Sequence, residues 1–536
     1  MKRYSLLLLQ MVMCLVSLNA GIYQWSVRLD GYVSEETKGN PDAFLWIPDN
    51  CRQVKAIVVS QQNMCEETLF NHPKFRKTMT ELGFAVIWIA PSLDYQWDVK
   101  NGCQEIFDKM LTDLANISGY EEIRHAPVVP LGHSAMATFP WNFAAWNPER
   151  TLAIVSYKGD APRTNLTGYG RDNLEWGRIR NIDGIPGLMI EGEYEWWEAR
   201  VNPALAFRMM YPESCISFLC DRGQGHFDVS DKIVNYISLF LRKAAQYRLP
   251  ENQPFDKPGE LVKVDPKEGW LAERWRENQE KRTKPAVCAG YKGNKYDAFW
   301  YFDKEMAEAT ESYYKESVNK RKWYIGFTAA GKLLDFNKAG HAQYEISPTI
   351  GEDLTFHLKA VLTDSLRSKV ISSSLNNSDV LKISKINGPV EKVNDTTFRL
   401  RFYRMGLNNP RRTGDIWLLA HYEENLRYKS AVQQINIRIP YPLKEGERQY
   451  ILFPGLPDIP DGTESIQLHA TSDKGLHVSY YIKQGPAEVV GDELVFTQVP
   501  PRATYPLKVT VVAWQYGIKD KILTAEAVER CFYIIR

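Results

Sequence analysis

Past its first twenty residues the chain has no long apolar run. Nothing there approaches the roughly eighteen uninterrupted apolar residues of a membrane-spanning helix, so no membrane span is expected. Net charge is nearly absent too: 66 Lys and Arg stand against 65 Asp and Glu, a formal +1, which removes any whole-chain attraction to nucleic acid or an anionic membrane. Cysteine is sparse and scattered. Beyond Cys14 there remain Cys51, Cys65, Cys103, Cys215, Cys220, Cys288 and Cys531, an odd set with no C-x-x-C, so neither a disulfide framework nor a zinc site is expected. A pairing of Cys51 with Cys65 or Cys103 in an oxidising compartment stays open. Two further pieces are missing, an H-G-G-G run and the second glycine of a G-x-S-x-G pattern.

What is present begins with MKRYSLLLLQMVMCLVSLNA: two basic residues, an apolar stretch from Leu6 to about Val16, and a small-polar end at Ala20. This pattern predicts a secretory signal peptide cleaved after Ala20, and hence a periplasmic or secreted chain. At 536 residues, 44% hydrophobic and 24% charged, the chain exceeds one ordinary core, and several domains are expected. Aromatics reach 12%, with 15 Trp and 28 Tyr, more than core packing needs; flat rings suit sugar-binding surfaces.

From residue 23 to about 250, short apolar strands alternate with amphipathic helices. Strands are predicted at 43–47, 54–60, 84–90, 127–131, 152–157, 187–191 and 216–220, and helices at 74–82, 103–114, 136–145, 201–210 and 231–247. Near-continuous apolar strands of this kind predict a mostly parallel sheet covered on both faces, an α/β class. Proline and charge then dominate from Leu249 to Lys284, which reads as a linker or strap. Beyond it, alternating patterns such as LTFHLKAVL and QQINIRI predict antiparallel β-sandwich domains. The expected divisions are a signal peptide at 1–20, a catalytic domain at 21–255, a linker or strap at 256–285, a β-rich accessory domain at 286–455 and a β-sandwich module at 456–536.

The chemistry sits in PVVPLGHSAMATFPW, residues 127–141. A serine is a poor nucleophile at neutral pH; it needs an imidazole to take its proton, a carboxylate to hold that imidazole, and amides for the oxyanion. Ser134 follows an apolar strand and precedes a helical pattern, the setting of a nucleophile elbow, although Met136 stands where a second glycine is usual. His226, in CDRGQGHFDVSD between the last strand and the last helix of this region, is the expected base. The expected acid follows the strand PGLMIE: Glu195, three residues after Gly192, with Glu193 and then Glu191 as alternatives. Nucleophile, acid and histidine thus come in the chain order of an α/β-hydrolase. The oxyanion hole is expected from the amide of Ala135 and from Gln61 or Gln62 in VVSQQNM, by main chain or side chain. His133 is expected to support the elbow or a substrate contact, and His125 to be structural. No metal or cofactor enters this scheme.

The stretch LANISGYEEIRHAPVVPLGHSAMATFPWNFAAWNPER resembles secreted bacterial α/β-hydrolases that carry "S-G-Y-x-E-L-x-x-A-P-x-x-x-x-G-H-S-A-G" and "A-A-W-N-P-E-R", a likeness covering roughly residues 23–250. It implies a serine esterase of the carbohydrate esterase type, associated with polysaccharide breakdown. The tail, with LHATSDKGLHVSYYIKQGPAEVV, resembles bacterial immunoglobulin-like modules. For the substrate, Tyr169, Trp176, Trp196 and Trp197 offer sugar-stacking rings, while Arg163, Arg171, Arg178 and Arg180 offer partners for glycan carboxylates. The resulting expectation is a secreted serine esterase acting on a polysaccharide or oligosaccharide, at an O-acetyl group or a pectin-type uronate methyl ester. A serine peptidase and a non-catalytic glycan-binding or adhesion protein are the alternatives, and the oligomeric state is left open.

Overall fold

In the computed structural model, the described residues are 22–536 except 35, 164–172, 196–197, 253, 255, 278, 280–281, 316–318, 372–380, 408 and 410. The first body is an eight-stranded sheet: β1 (Trp25–Arg28), β2 (Asp42–Trp46), β3 (Ala56–Gln61), β4 (Phe84–Ala90), β5 (Val128–His133), β6 (Ile154–Tyr157), β7 (Pro186–Gly192) and β8 (Cys215–Asp221). The spatial order is β1-β2-β4-β3-β5-β6-β7-β8. β2 runs antiparallel to both β1 and β4, and the strands from β4 through β8 are parallel. The helices are α1 (Glu66–Phe70), α2 (Pro73–Leu82), α3 (Cys103–Ser118), α4 (Phe139–Trp146), α5 (Glu198–Met210) and α6 (Asp231–Arg248). This is an α/β-hydrolase sheet, and β1 and α1 are the two elements that its sequence pattern leaves unmarked.

The strands form where apolar side chains recur without interruption, and pleat alternation divides them between two cores. Ala56 and Val58 enter one core with Phe75 and Met79 of α2 and Phe240 of α6. Ile57 and Val59 enter the other with Phe107 and Met110 of α3 and Phe143 of α4. At the start of α6 the Ser230 hydroxyl caps the helix, accepting from the Ile233 amide at 3.5 Å. The cap lies four residues after His226 and so fixes the end of its loop.

Of the two readings of 256–285, linker or strap, the packing matches the strap, and the start of the stretch expected as the accessory domain, at 286–455, packs on the first body as well. The proline and charge of 256–285 are real, yet Leu271, Trp275, Phe299, Trp300 and Tyr301 bury in the first core. They build a small sheet of β9 (Trp270–Glu273), β10 (Ala286–Val287) and β11 (Ala298–Tyr301), followed by α7 (Lys304–Lys315). The Tyr301 hydroxyl donates to the Phe218 carbonyl of β8 at 2.6 Å, and the Ser217 hydroxyl to the Trp300 carbonyl at 2.6 Å. The hydrolase body therefore runs through Lys315.

Next comes a sandwich of short sheets, its core formed by Phe327, Phe356, Phe398, Leu418 and Ile435. The final module pairs a four-stranded sheet holding Leu507–Trp514 and Val528–Ile535 with a three-stranded one. Its Phe453, Tyr480, Val509 and Phe532 bury in the same core as α3. Among the described residues no helix is long and apolar enough to cross a membrane. All seven described cysteines carry free thiols, so neither pairing of Cys51 forms.

Candidate active site

Ser134, directly after β5, has φ of 59°, a left-handed conformation that a serine adopts at a cost of about 1–3 kcal/mol. Its tight turn depends on Gly132: a Cβ there would lie 2.1 Å from the Met136 carbonyl oxygen. Met136 itself points away from the site and is fully buried with the α3 and α4 side chains. The missing second glycine is thus replaced by a core residue on the far side of the turn, and the nucleophile's face stays clear of it.

His226 lies 2.7 Å, Nε2 to Oγ, from Ser134, and its Nδ1 meets the Glu195 Oε2. With Nδ1 protonated, His226 donates to Glu195 and leaves Nε2 to accept the Ser134 hydroxyl. Burial raises the Glu195 carboxyl, but the charge and hydrogen bond of His226, then Lys158 and Arg200, outweigh it and hold the group below its ordinary value. Glu195 is therefore ionised beside the imidazole. A glycine at 192 lets the two loops meet, since a Cβ there would lie 2.5 Å from the Gly225 carbonyl oxygen.

Neither competing glutamate reaches the imidazole. Glu193 turns the other way, accepting from Lys429 Nζ at 2.6 Å and the Gly223 amide at 2.8 Å. Glu191 is fully buried, with Arg200 Nη1 3.7 Å away, and burial followed by the Glu195 charge pushes it well above the ordinary carboxyl range.

Of the oxyanion candidates, Ala135 is the second residue of a 3-10 turn (Ser134–Met136), where the first amides have no partner within the turn. The Gln61 side chain is occupied, its Oε1 accepting from the Leu93 and Asp94 amides at 2.7 and 2.8 Å and its Nε2 donating to the Asp94 carbonyl. The Gln62 amide donates to the Ile89 carbonyl at 2.7 Å. That excludes the Gln61 side chain and the Gln62 main chain, and leaves the Gln61 main-chain amide and the Gln62 carboxamide, the latter buried with no hydrogen-bond partner on either atom among the described residues.

His133 is buried, and burial followed by the nearby His226 pushes it well below its ordinary value, so it is neutral. Its Nε2 donates to the His226 carbonyl at 2.8 Å, fixing the backbone of the base. Sequence reasoning misses the group that ties this elbow down, Glu66 of α1. Its two carboxyl oxygens accept from the His133 amide at 3.0 Å and the Met64 amide at 2.7 Å, and Asn63 Nδ2 donates to the His133 carbonyl at 2.8 Å. No motif marks a buried glutamate that bonds only main chain.

The expected substrate residues scatter. Trp176 is withdrawn as a sugar platform: its ring is 1% exposed and its Nε1 donates to Asn142 Oδ1 at 2.7 Å. Arg163 packs over Trp176 and Tyr211 with Nη2 3.9 Å from Glu175, Arg180 lies over Trp146, and Arg178 is exposed. Tyr169, Arg171, Trp196 and Trp197 fall outside the described residues. Among the described residues no group of three or more His, Cys, Asp or Glu is placed to hold a metal ion.

No family model matches the chain, and no curated protein does. Similar solved structures include the fluorophosphonate-binding serine hydrolase F of Staphylococcus aureus, at 11% identity over 42% of this chain and 98% of that one, with a TM-score of 0.28. Est1E from Butyrivibrio proteoclasticus gives 13%, 41%, 99% and 0.29. A thermostable carboxyl esterase from Bacillus coagulans gives 11%, 42%, 100% and 0.30. Likeness at this level carries no argument about chemistry, which rests on the side chains just described.

Proposed function

We propose that the chain is a secreted serine ester hydrolase in which Ser134 is the nucleophile, His226 the base and then the acid, and Glu195 the orienting carboxylate. The observation that carries this reading is the 2.7 Å contact between Ser134 Oγ and His226 Nε2, made from a left-handed elbow with Glu195 behind the imidazole. In acylation, Ser134 Oγ bonds to the ester carbon while its proton passes to His226 Nε2. The Ala135 amide and the Gln62 carboxamide are the oxyanion donors. Collapse breaks the bond to the alcohol oxygen, which takes the proton from His226. Water, deprotonated by the same imidazole, then releases the acid and restores Ser134.

The favoured substrate is an ester on a polysaccharide, an O-acetyl group or a uronate methyl ester. Support for the uronate comes from the exposed Arg178 and the half-buried Arg163, which bracket the segment after β6. The test is hydrolysis of 4-nitrophenyl acetate, acetylated xylan and methyl-esterified pectin by the mature chain beside Ser134→Ala. Activity lost with Ser134 supports the ester hydrolase, and methanol released from pectin supports the uronate ester. A Ser134→Ala variant as active as the parent overturns the mechanism.

A further inference from the structure

The middle sandwich reaches the catalytic imidazole. Its residue His341 lies with its ring centroid 5.9 Å from that of His226 at an interplanar angle of 75°. Behind it stand Phe227, at 5.5 Å, and Trp417 of the sandwich, at 5.7 Å, themselves 5.3 Å apart. Phe227 and Trp417 are buried, whereas His341 is exposed. His341 thus keeps solvent-facing surface while its ring packs edge-on to that of the catalytic base.

The loop that carries it is braced. The Asn337 amide donates to the Gln343 carbonyl at 2.9 Å, Gln434 Nε2 to the His341 carbonyl at 3.1 Å, and Gln433 Nε2 to Gln343 Oε1 at 2.9 Å. Ala342, next in sequence, is 1% exposed and buries in the hydrolase core. Other sandwich contacts hold the catalytic loops themselves. Lys429 binds Glu193, the Tyr194 hydroxyl donates to the Ser430 carbonyl at 2.5 Å, and Asn387 Nδ2 donates to the Asn63 carbonyl at 3.2 Å. The sandwich is thus fixed against the loops that bear the acid, the base and the oxyanion donors.

Resting on the acyl-transfer reading above, we propose that His341 forms the alcohol-side wall of the substrate site and hydrogen-bonds the hydroxylated alcohol that leaves. The argument is positional. In the tetrahedral intermediate the atom nearest His226 Nε2, apart from Ser134 Oγ, is the leaving oxygen, because that is where the proton goes. A side chain packed beside His226 meets the group attached to that oxygen. Partial desolvation of the ring by its packed neighbours, followed by the nearby His226, lowers His341 below its ordinary value. A neutral imidazole presents one N–H donor and one acceptor nitrogen, a pair suited to the vicinal hydroxyls of a sugar.

The contact exists only until the alcohol departs, so it acts on acylation and not on deacylation. The test compares His341→Ala and His341→Gln with the parent on two acetate esters that give the same acetyl-enzyme, ethyl acetate and acetylated xylobiose. It adds the deacylation rate of the acetyl-enzyme made from 4-nitrophenyl acetate. The expected result for His341→Ala is about a tenfold loss of kcat/KM on acetylated xylobiose, little change on ethyl acetate, and unchanged deacylation. His341→Gln, which keeps a donor and an acceptor, recovers part of the loss. A parent chain with no preference for the sugar ester, an equal loss on both esters, or slowed deacylation overturns the proposal while leaving Ser134 chemistry intact. Failure of the parent to form an acetyl-enzyme at all overturns both.

Discussion

Two glutamates two residues apart have opposite consequences when each is made an amide. Glu195→Gln keeps the size of the side chain but hands His226 Nδ1 a neutral group that no longer favours the imidazolium. Turning a triad carboxylate into its amide costs about 10⁴ in kcat in serine proteases, and a loss of about 10³–10⁴ is expected here. Glu193→Gln leaves the relay alone and removes a charge facing Lys429 Nζ at 2.6 Å and Arg222 Nε at 3.8 Å, side chains that are 10% and 5% exposed. Stranding buried cations in this way destabilises by about 3–5 kcal/mol, less than the whole of an ordinary domain's stability. The variant therefore folds, melts earlier, and turns over 4-nitrophenyl acetate at close to the parental rate per folded molecule. The assay is kcat at 15–20 °C, set roughly below the melting of a weakened mesophilic domain, alongside thermal unfolding by circular dichroism. If Glu193→Gln abolishes turnover while still folded and Glu195→Gln retains it, the acid is misassigned and the orientation argument fails.

Other consequences follow from the elbow and its supports. Met136→Gly restores the familiar glycine yet empties a core site and loosens a turn; it is expected to destabilise by about 3–5 kcal/mol without raising kcat, measured by urea unfolding and turnover. Gly132→Ala places a methyl 2.1 Å from the Met136 carbonyl oxygen and is expected to abolish labelling of Ser134 by a fluorophosphonate, read by intact mass. Glu66 is pushed by burial from 4.5 up to about 7, so the folded chain holds a proton that the unfolded chain has released. Stability from this group is full below about pH 4.5 and is lost as pH rises through about 7. Urea midpoints measured from pH 5 to 8 should therefore fall in the parent and fall less in Glu66→Gln.

The relay is legible in the sequence because each part sits at a strand end. Ser134 follows an apolar run, His226 follows the last such run before a capped helix, and Glu195 trails a glycine. What separates Glu195 from Glu193 is only which way a 3-10 turn (Glu193–Glu195) points, and composition holds no trace of that. The segment from 256 to 285 reads two ways, as linker or strap, because its prolines and charges outnumber the few residues, such as Leu271 and Trp275, that decide where it packs. Trp176 misleads: a tryptophan in a polar segment suggests a surface platform, but Asn142 offers its Nε1 a buried partner. His341 is illegible for a different reason. It arrives beside His226 only because a separate sandwich docks there, a contact between residues 115 positions apart that no local pattern encodes.

The edge strand β1 has its own dependence on distant chain. The Ser26 amide and hydroxyl both donate to Gln484 Oε1, at 3.0 and 2.9 Å across 458 residues, and the Gly485 amide donates to the Tyr23 carbonyl at 3.1 Å. At a synthesis rate of about 5–20 residues per second, the first strand waits roughly half a minute to a minute and a half for that partner to be made. One partner of the first strand is thus among the last parts of the chain to be made, and a chaperone that holds the newborn N-terminal end would shield that edge until then.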